Sequence, residues 1–162
     1  MNVFEIPALT QEECQKIITA EYLCRIAFHG GQYPYVAPFL YVWHNSHLYF
    51  LSANYGTKIK YFRENPLVVV EIEQTVPDLS RCRFVTLYGQ LQEIQADEEK
   101  KNIRRAFVAL IQEKKLSKNI IAALGYSPEE NLNALEAEDR SLVWKLIEID
   151  HISGLQCGND AP

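Results

Sequence analysis

The sequence predicts a mainly β protein with flanking helices, folded as a small six-stranded antiparallel barrel. Two observations lead there. About six β-branched and aromatic runs follow one another mostly without intervening helices, which disfavours an alternating parallel sheet. Gly89 interrupts the longest of them, and a glycine inside a strand marks the bend or bulge by which a sheet curls on itself.

The elements follow in order. Thr10 stands three residues before Glu13 and just ahead of Cys14, Ile17 and Ile18, the spacing of a capping box opening an amphipathic helix. Leu23–Phe28 is a first strand, broken by Gly30-Gly31. Tyr35–Trp43 and His47–Ser52 flank the polar turn His44-Asn45-Ser46 and read as a hairpin. Ser52 to Lys58 is a loop leading into a short helix stopped by Pro66. Leu67–Ile72 is almost continuously apolar, as a strand buried on both faces would be. Arg83–Ile94 is a longer strand with Val85 and Leu87 on one face and Phe84, Thr86 and Tyr88 on the other.

From Asp97 to Leu116, Ile103, Phe107, Leu110 and Ile111 recur at helical spacing among charged residues. Ser127-Pro128-Glu129-Glu130 carries the signals of a second helix start. A last strand, Leu142–Ile152, stops at Gly154, and the terminal residues 158–162 read as frayed. The 162 residues therefore form a single domain with a helical insertion at about 97–140.

Bulk properties narrow the function. The net charge is -5 with no basic tract, which disfavours nucleic acid as a partner. No apolar run approaches the ~20 residues that span a bilayer, so a membrane is not an expected partner and the chain reads as cytoplasmic. Cys14, Cys24, Cys82 and Cys157 form no C-x-x-C pair and read as reduced thiols, mostly in the core. No metal site is expected: His44 and His47 lie three apart in a turn without a Cys or carboxylate partner. There is no G-x-S-x-G elbow, and the acidic residues fall on the wet faces of helices, so neither a serine hydrolase nor a paired-carboxylate hydrolase is expected.

Of two Trp, nine Tyr and seven Phe residues, ten lie between Tyr33 and Phe62, which makes this stretch the first place to look for a site. Within it, Gly56-Thr57-Lys58 follows a strand and opens a helix. Helix amides, a hydroxyl and an ammonium together suit an anion, although so short a motif also reads as a solvated turn. Pro38 to Tyr41 would offer a strand edge and apolar side chains to a flat ring; taken alone, it also reads as a core strand. Arg81 and Arg83 read as a solvated strand end or as help for a phosphate across an interface.

In its proline-bearing strand, its hairpin, its G-x-K step and Asn65-Pro66, the segment from Pro34 to Pro66 is similar to the pyridoxamine 5'-phosphate oxidase-related, FMN-binding split-barrel family. The likeness continues through Tyr88-Gly89-Gln90, and Leu146 to Gly154 resembles the last strand of the nitroimidazole-reductase-like branch. The resemblance implies a split barrel that forms a homodimer, with FMN as cofactor in clefts between subunits and a small molecule as substrate of an oxidoreductase. By position, Val36, Ala37, Pro38, Phe39, Leu40 and Tyr41 would line the flavin ring, Leu51 and Ser52 would lie beside the ring or ribityl chain, and Thr57 and Lys58 would hold the phosphate.

No catalytic side chain is assigned by the resemblance; Tyr55 and Tyr88 are cleft candidates. Val36 and Phe84 replace an arginine and a glutamine common in the family, and the C-terminal segment that serves the pyridoxal substrate is not recognisable. Three alternatives differ in cofactor or turnover: a deazaflavin in place of FMN, haem on one of His29, His44, His47 or His151, and a flavin carrier or sensor without turnover.

Overall fold

The first helix starts where its capping residues dictate. In the computed structural model, which describes residues 1–137 and 139–158, the Thr10 hydroxyl accepts from the Glu13 amide (3.2 Å) and the Glu13 carboxylate accepts from the Thr10 amide (2.7 Å). The helix α1 (Gln11–Ala20) then turns Cys14, Ile17 and Ile18 into the core.

Six strands follow: β1 (Leu23–Phe28), β2 (Tyr35–His44), β3 (His47–Ala53), β4 (Leu67–Thr75), β5 (Cys82–Glu93) and β6 (Ser141–Cys157). All pair antiparallel and close in the order β1-β2-β3-β6-β5-β4. The hairpin turn is two residues rather than three. Asn45 and Ser46 both have positive φ (46° and 61°), as a tight hairpin requires, and His44 pairs with His47 as part of the strands.

Strand alternation explains the core. Phe28, Phe39, Tyr41, Phe50, Val70 and Trp144 fill the barrel interior. The longest strand bends where its glycine predicts: Tyr88 pairs with His151 but Gln90 with Ile147. A Cβ on Gly89 would lie 2.9 Å from the Ile147 carbonyl oxygen.

A second core lies outside the barrel. Between β5 and β6 the chain forms α3 (Asp97–Glu113), a 3-10 helix (Lys118–Leu124) and a single helical turn α4 (Ala134–Ala137). Their apolar residues, Ile103, Phe107, Ile111, Ile121 and Leu135, cover the outward side chains Val42, Tyr49, Leu51 and Val143 of β2, β3 and β6. The remaining helix, α2 (Thr57–Glu64), joins β3 to β4.

Four further expectations are corrected. On β4 only Val68, Val70 and Ile72 are buried; Leu67 is exposed, because among the described residues no helix covers the outer face, where Arg25 instead pairs with Glu71 (3.2 Å) and Glu73 (2.8 Å). The last strand runs past Gly154 to Cys157, since β5 offers pairing partners as far as Cys82.

The residues from Ser127 to Glu130 make their capping bonds, Ser127 amide to Glu130 carboxylate (2.7 Å) and Glu129 amide to Ser127 hydroxyl (3.3 Å), yet form only a turn. The Asn131 side chain then accepts from the Asn133 amide (2.9 Å), a local bond that competes with helix continuation. Finally, Cys82 and Cys157 are not reduced thiols: they face each other across β5 and β6 and are joined by a disulfide, their Cα atoms 5.2 Å apart. Cys14 and Cys24 are free and buried, as expected. Of the terminus expected to fray, residues 159–162 lie outside the described residues.

Candidate functional site

The alternation that fills the barrel leaves Pro38 and Leu40 of β2 pointing outward, away from the Phe39 and Tyr41 rings. Where the insertion arches over this face, a cavity of about 310 Å³ remains. The strand side of its wall is Tyr35, Ala37, Pro38, Phe39, Leu40, Leu51 and Ser52, with Leu23 at its edge. The helical side is Phe107 and Ile111 of α3 with Ile120, Ala123 and Leu124 of the 3-10 helix. Lys58, from the first turn of α2, is the cavity's one formally charged lining residue among those described.

The structure thus brings together Ala37, Pro38, Phe39, Leu40, Leu51, Ser52 and Lys58 of the residues expected to hold a cofactor. It leaves three apart. Val36 is exposed on the uncovered outer face, paired with Ala27. Tyr41 is buried in the barrel, its hydroxyl donating to the Ile18 carbonyl (2.8 Å), so its side chain cannot contribute to the cavity. Thr57 stands exposed at the start of α2, beside the cavity but not lining it.

Of the ten clustered aromatics, Phe39, Tyr41 and Phe50 are buried barrel core, and Tyr35, Trp43, Tyr61 and Phe62 pack against it half-buried. Phe39, for example, packs 6.2 Å from Phe28 and 6.0 Å from Trp144, centroid to centroid.

The anion-site residues have the local geometry their types suggest. Gly56 holds φ at 93°, a conformation that favours glycine; the space around it is open, so conformation rather than crowding explains the residue. Among the described residues no side chain caps α2; the Ile59 amide bonds the Gly56 carbonyl (3.2 Å), which leaves the amides of Thr57 and Lys58 to an acceptor. Burial pushes the Lys58 ammonium below its ordinary pKa. Its contact is the Tyr55 ring at 5.7 Å, and among the described residues no carboxylate offsets its burial. A half-buried cation without a counter-charge, beside free helix amides, fits a phosphate.

The histidines lie elsewhere. His29 Nδ1 meets the Asn65 amide (3.0 Å), His47 Nδ1 lies 2.8 Å from the Asn45 carbonyl oxygen, and His151 packs on the exposed Tyr88 ring at 5.8 Å. His44 and His47 border a separate cleft with Glu98, Glu99 and Lys145. None of the four lines the cavity, which removes the geometric basis for a haem ligand there. Among the described residues no group of three or more His, Cys, Asp and Glu side chains could hold a metal, and no helix is long and apolar enough to cross a membrane. Burial raises the Cys24 thiol's pKa, which makes it a poor nucleophile.

The helical wall of the cavity was not foreseen. Phe107 and Ile111 are legible as the apolar face of a helix, but the surface they cover is a tertiary fact, and Ile120, Ala123 and Leu124 carry no motif.

Comparison with known proteins agrees with this architecture. Residues 10–154 match the family described as pyridoxamine 5'-phosphate oxidase. An uncharacterised protein of Rhizobium meliloti (strain 1021) is 30% identical over 93 residues, a match covering 57% of this chain and 60% of that relative's length. Among solved structures, a FAD-binding protein from Mesorhizobium loti superposes with a TM-score of 0.69 at 22% identity, covering 96% of this chain and 100% of its own. A putative 5-nitroimidazole antibiotic resistance protein from Bacteroides thetaiotaomicron gives 0.64 at 18% identity, covering 94% and 87%. At these identities the structural likeness speaks for the fold.

Proposed function

The chain belongs to the pyridoxamine 5'-phosphate oxidase family, and from that premise we propose that it binds FMN and acts as a flavin-dependent oxidoreductase on a small molecule. The observation that carries the reading is the cavity itself, which gathers Pro38, Leu40, Leu51 and Ser52 from a hairpin and Lys58 from the next helix around one space. Lys58 and the first amides of α2 would hold the 5'-phosphate, with the Thr57 hydroxyl beside them. Pro38, Leu40 and Leu51 would exclude water from the ring, and Ser52 supplies a buried hydroxyl at its edge.

When bound, the flavin supplies the hydride or electron transfer. The chain's own part is binding and orientation: no carboxylate or imidazole lines the cavity among the described residues, so none is assigned as acid or base. FAD is the second reading. It is favoured by the Mesorhizobium loti protein's description as FAD-binding and by the exposure of Gly56 and Thr57, where a further nucleotide has room. Titrating FMN and FAD separately into cofactor-free protein, with fluorescence quenching as readout, decides between them. Tighter FMN binding at one equivalent per chain supports the proposal, tighter FAD binding reassigns the cofactor, and no binding of either overturns the flavin reading.

A homodimer is part of the proposal. Val36, Ala27, Val69 and Tyr88 form one in-register row on the uncovered outer face, and Val36, Tyr88 and nearby Leu67 are exposed. A monomer mass in light scattering would contradict it. The expected cytoplasmic location meets one opposing observation, the Cys82–Cys157 disulfide, since such bonds are rare in reducing compartments.

A further inference from the structure

The Cys82–Cys157 bond joins two residues that the sheet already holds side by side. Cys82 is the first residue of β5 and Cys157 the last of β6, and the antiparallel ladder pairs them directly, their Cα atoms 5.2 Å apart. From that end the strands stay paired inward through Phe84 with Leu155 and Thr86 with Ser153, so the ladder keeps them in register without the bond. What the bond fixes is the end of β6.

That end also holds the N-terminus. Residues 7–9 lie along β6: the Gln156 amide donates to the Pro7 carbonyl (3.0 Å) and the Leu9 amide to the Gly154 carbonyl (2.8 Å). Ala8 bridges to Leu155. The approach is close, since a Cβ on Gly154 would lie 2.9 Å from the Leu9 Cβ. Thr10 and its capping box follow at once, whereas Val3, Phe4 and Ile6 before the bridge are exposed. The N-terminal segment is thus held at Gly154, Leu155 and Gln156, directly before Cys157.

The bond can also be reached. Cys82 is buried, but Cys157 is half-buried at the strand end, and accessible disulfides are the labile ones. In reducing compartments disulfides are rare, and those that form are chiefly transient, catalytic or redox-sensing.

We propose that Cys82 and Cys157 form a reversible thiol–disulfide switch that fastens and releases the N-terminal segment. The reductant is a dithiol. One of its thiolates attacks Cys157 Sγ, the Cys82–Cys157 bond breaks, and Cys82 leaves as a thiolate that takes up a proton. The second thiol then attacks the mixed disulfide, Cys157 leaves and is protonated, and the dithiol ends as a disulfide. Two electrons and two protons pass to the cysteine pair. The end of β6 then frays, residues 7–9 detach, and the Gly154 carbonyl and Gln156 amide become an open strand edge.

Full-length protein is incubated with dithiothreitol without denaturant, alkylated and mapped by mass spectrometry, with hydrogen exchange measured before and after. Alkylation of Cys82 and Cys157 is expected, while Cys24, buried in β1, stays unmodified because the barrel remains folded. Exchange at Leu9 and Gln156 should rise roughly tenfold or more, and Val70 and Leu87, paired within the β4–β5 ladder, should keep their rates. Oxidised glutathione should reverse both changes, and Cys157→Ser should exchange like the reduced wild type with or without reductant. Resistance of the bond to dithiothreitol in the folded protein would overturn the switch, as would reduction that leaves Leu9 and Gln156 unchanged. Reduction that raises exchange throughout the barrel would overturn it too, because the bond would then be a structural staple.

Discussion

The Arg104 guanidinium donates to the Ser141 backbone carbonyl across 2.6 Å, and this contact fixes α3 to the first residue of β6. The same guanidinium pairs with Asp139, whose side chain is largely exposed, so the two partners differ in what their loss costs. Arg104→Leu is expected to lower stability by about 1.5–3 kcal/mol, the range for a charge-assisted hydrogen bond to a buried acceptor. Asp139→Asn is expected to cost no more than about 1 kcal/mol, because exposed ion pairs are worth little. Denaturant midpoints of the two variants check the order.

Acid should weaken this junction in a defined direction. The hydrogen bond from Arg104, with help from Lys100, holds the Asp139 carboxyl below its ordinary pKa. A carboxyl depressed in the folded state stabilises fully above its ordinary value and loses that contribution as pH falls through it toward the folded value. Stability of the wild type relative to Asp139→Asn should therefore be constant near neutrality and shrink as the pH drops below the usual aspartate range. A difference that grows on acidification would contradict the assignment.

Tyr41 separates core from site. Its hydroxyl donates to the Ile18 carbonyl inside the barrel. Tyr41→Phe should lower stability by about 0.5–1.5 kcal/mol, the net worth of one hydrogen bond, and leave FMN affinity unchanged. A flavin titration that weakened without any stability loss would return Tyr41 to the cofactor.

The disulfide closes a long loop, its cysteines 75 positions apart in sequence. Replacing Cys82 and Cys157 together with serine should cost about 2–4 kcal/mol, and adding reductant to the wild type should reproduce the loss. Equal unfolding curves with and without reductant would show that the bond carries no stability.

The barrel was legible because its signals are local: the capping box at Thr10, the hairpin turn at Asn45-Ser46, and Gly89 each realise a residue-level preference. Half of the site was legible for the same reason, since Pro38, Leu40, Leu51, Ser52 and Lys58 lie within one hairpin and the helix after it. What was hidden depends on pairing across the chain. Cys82 meets Cys157 only through the β5–β6 register, and Ile120 and Leu124 join Leu40 in the outer core only because the insertion packs on the barrel's outer face. The aromatic cluster misled because composition does not record which face of a strand a ring takes; alternation sends Phe39, Tyr41 and Phe50 inward.

Titrating FMN into cofactor-free wild-type protein and Lys58→Ala tests the proposed role of Lys58 as the anchor of a flavin phosphate at this cavity. Loss of an unpaired, half-buried ammonium should weaken FMN by about 1.5–3 kcal/mol, or roughly 10- to 150-fold, with little change in folding stability. FMN binding of equal strength in the two proteins, or no FMN binding by the wild type, would contradict the account.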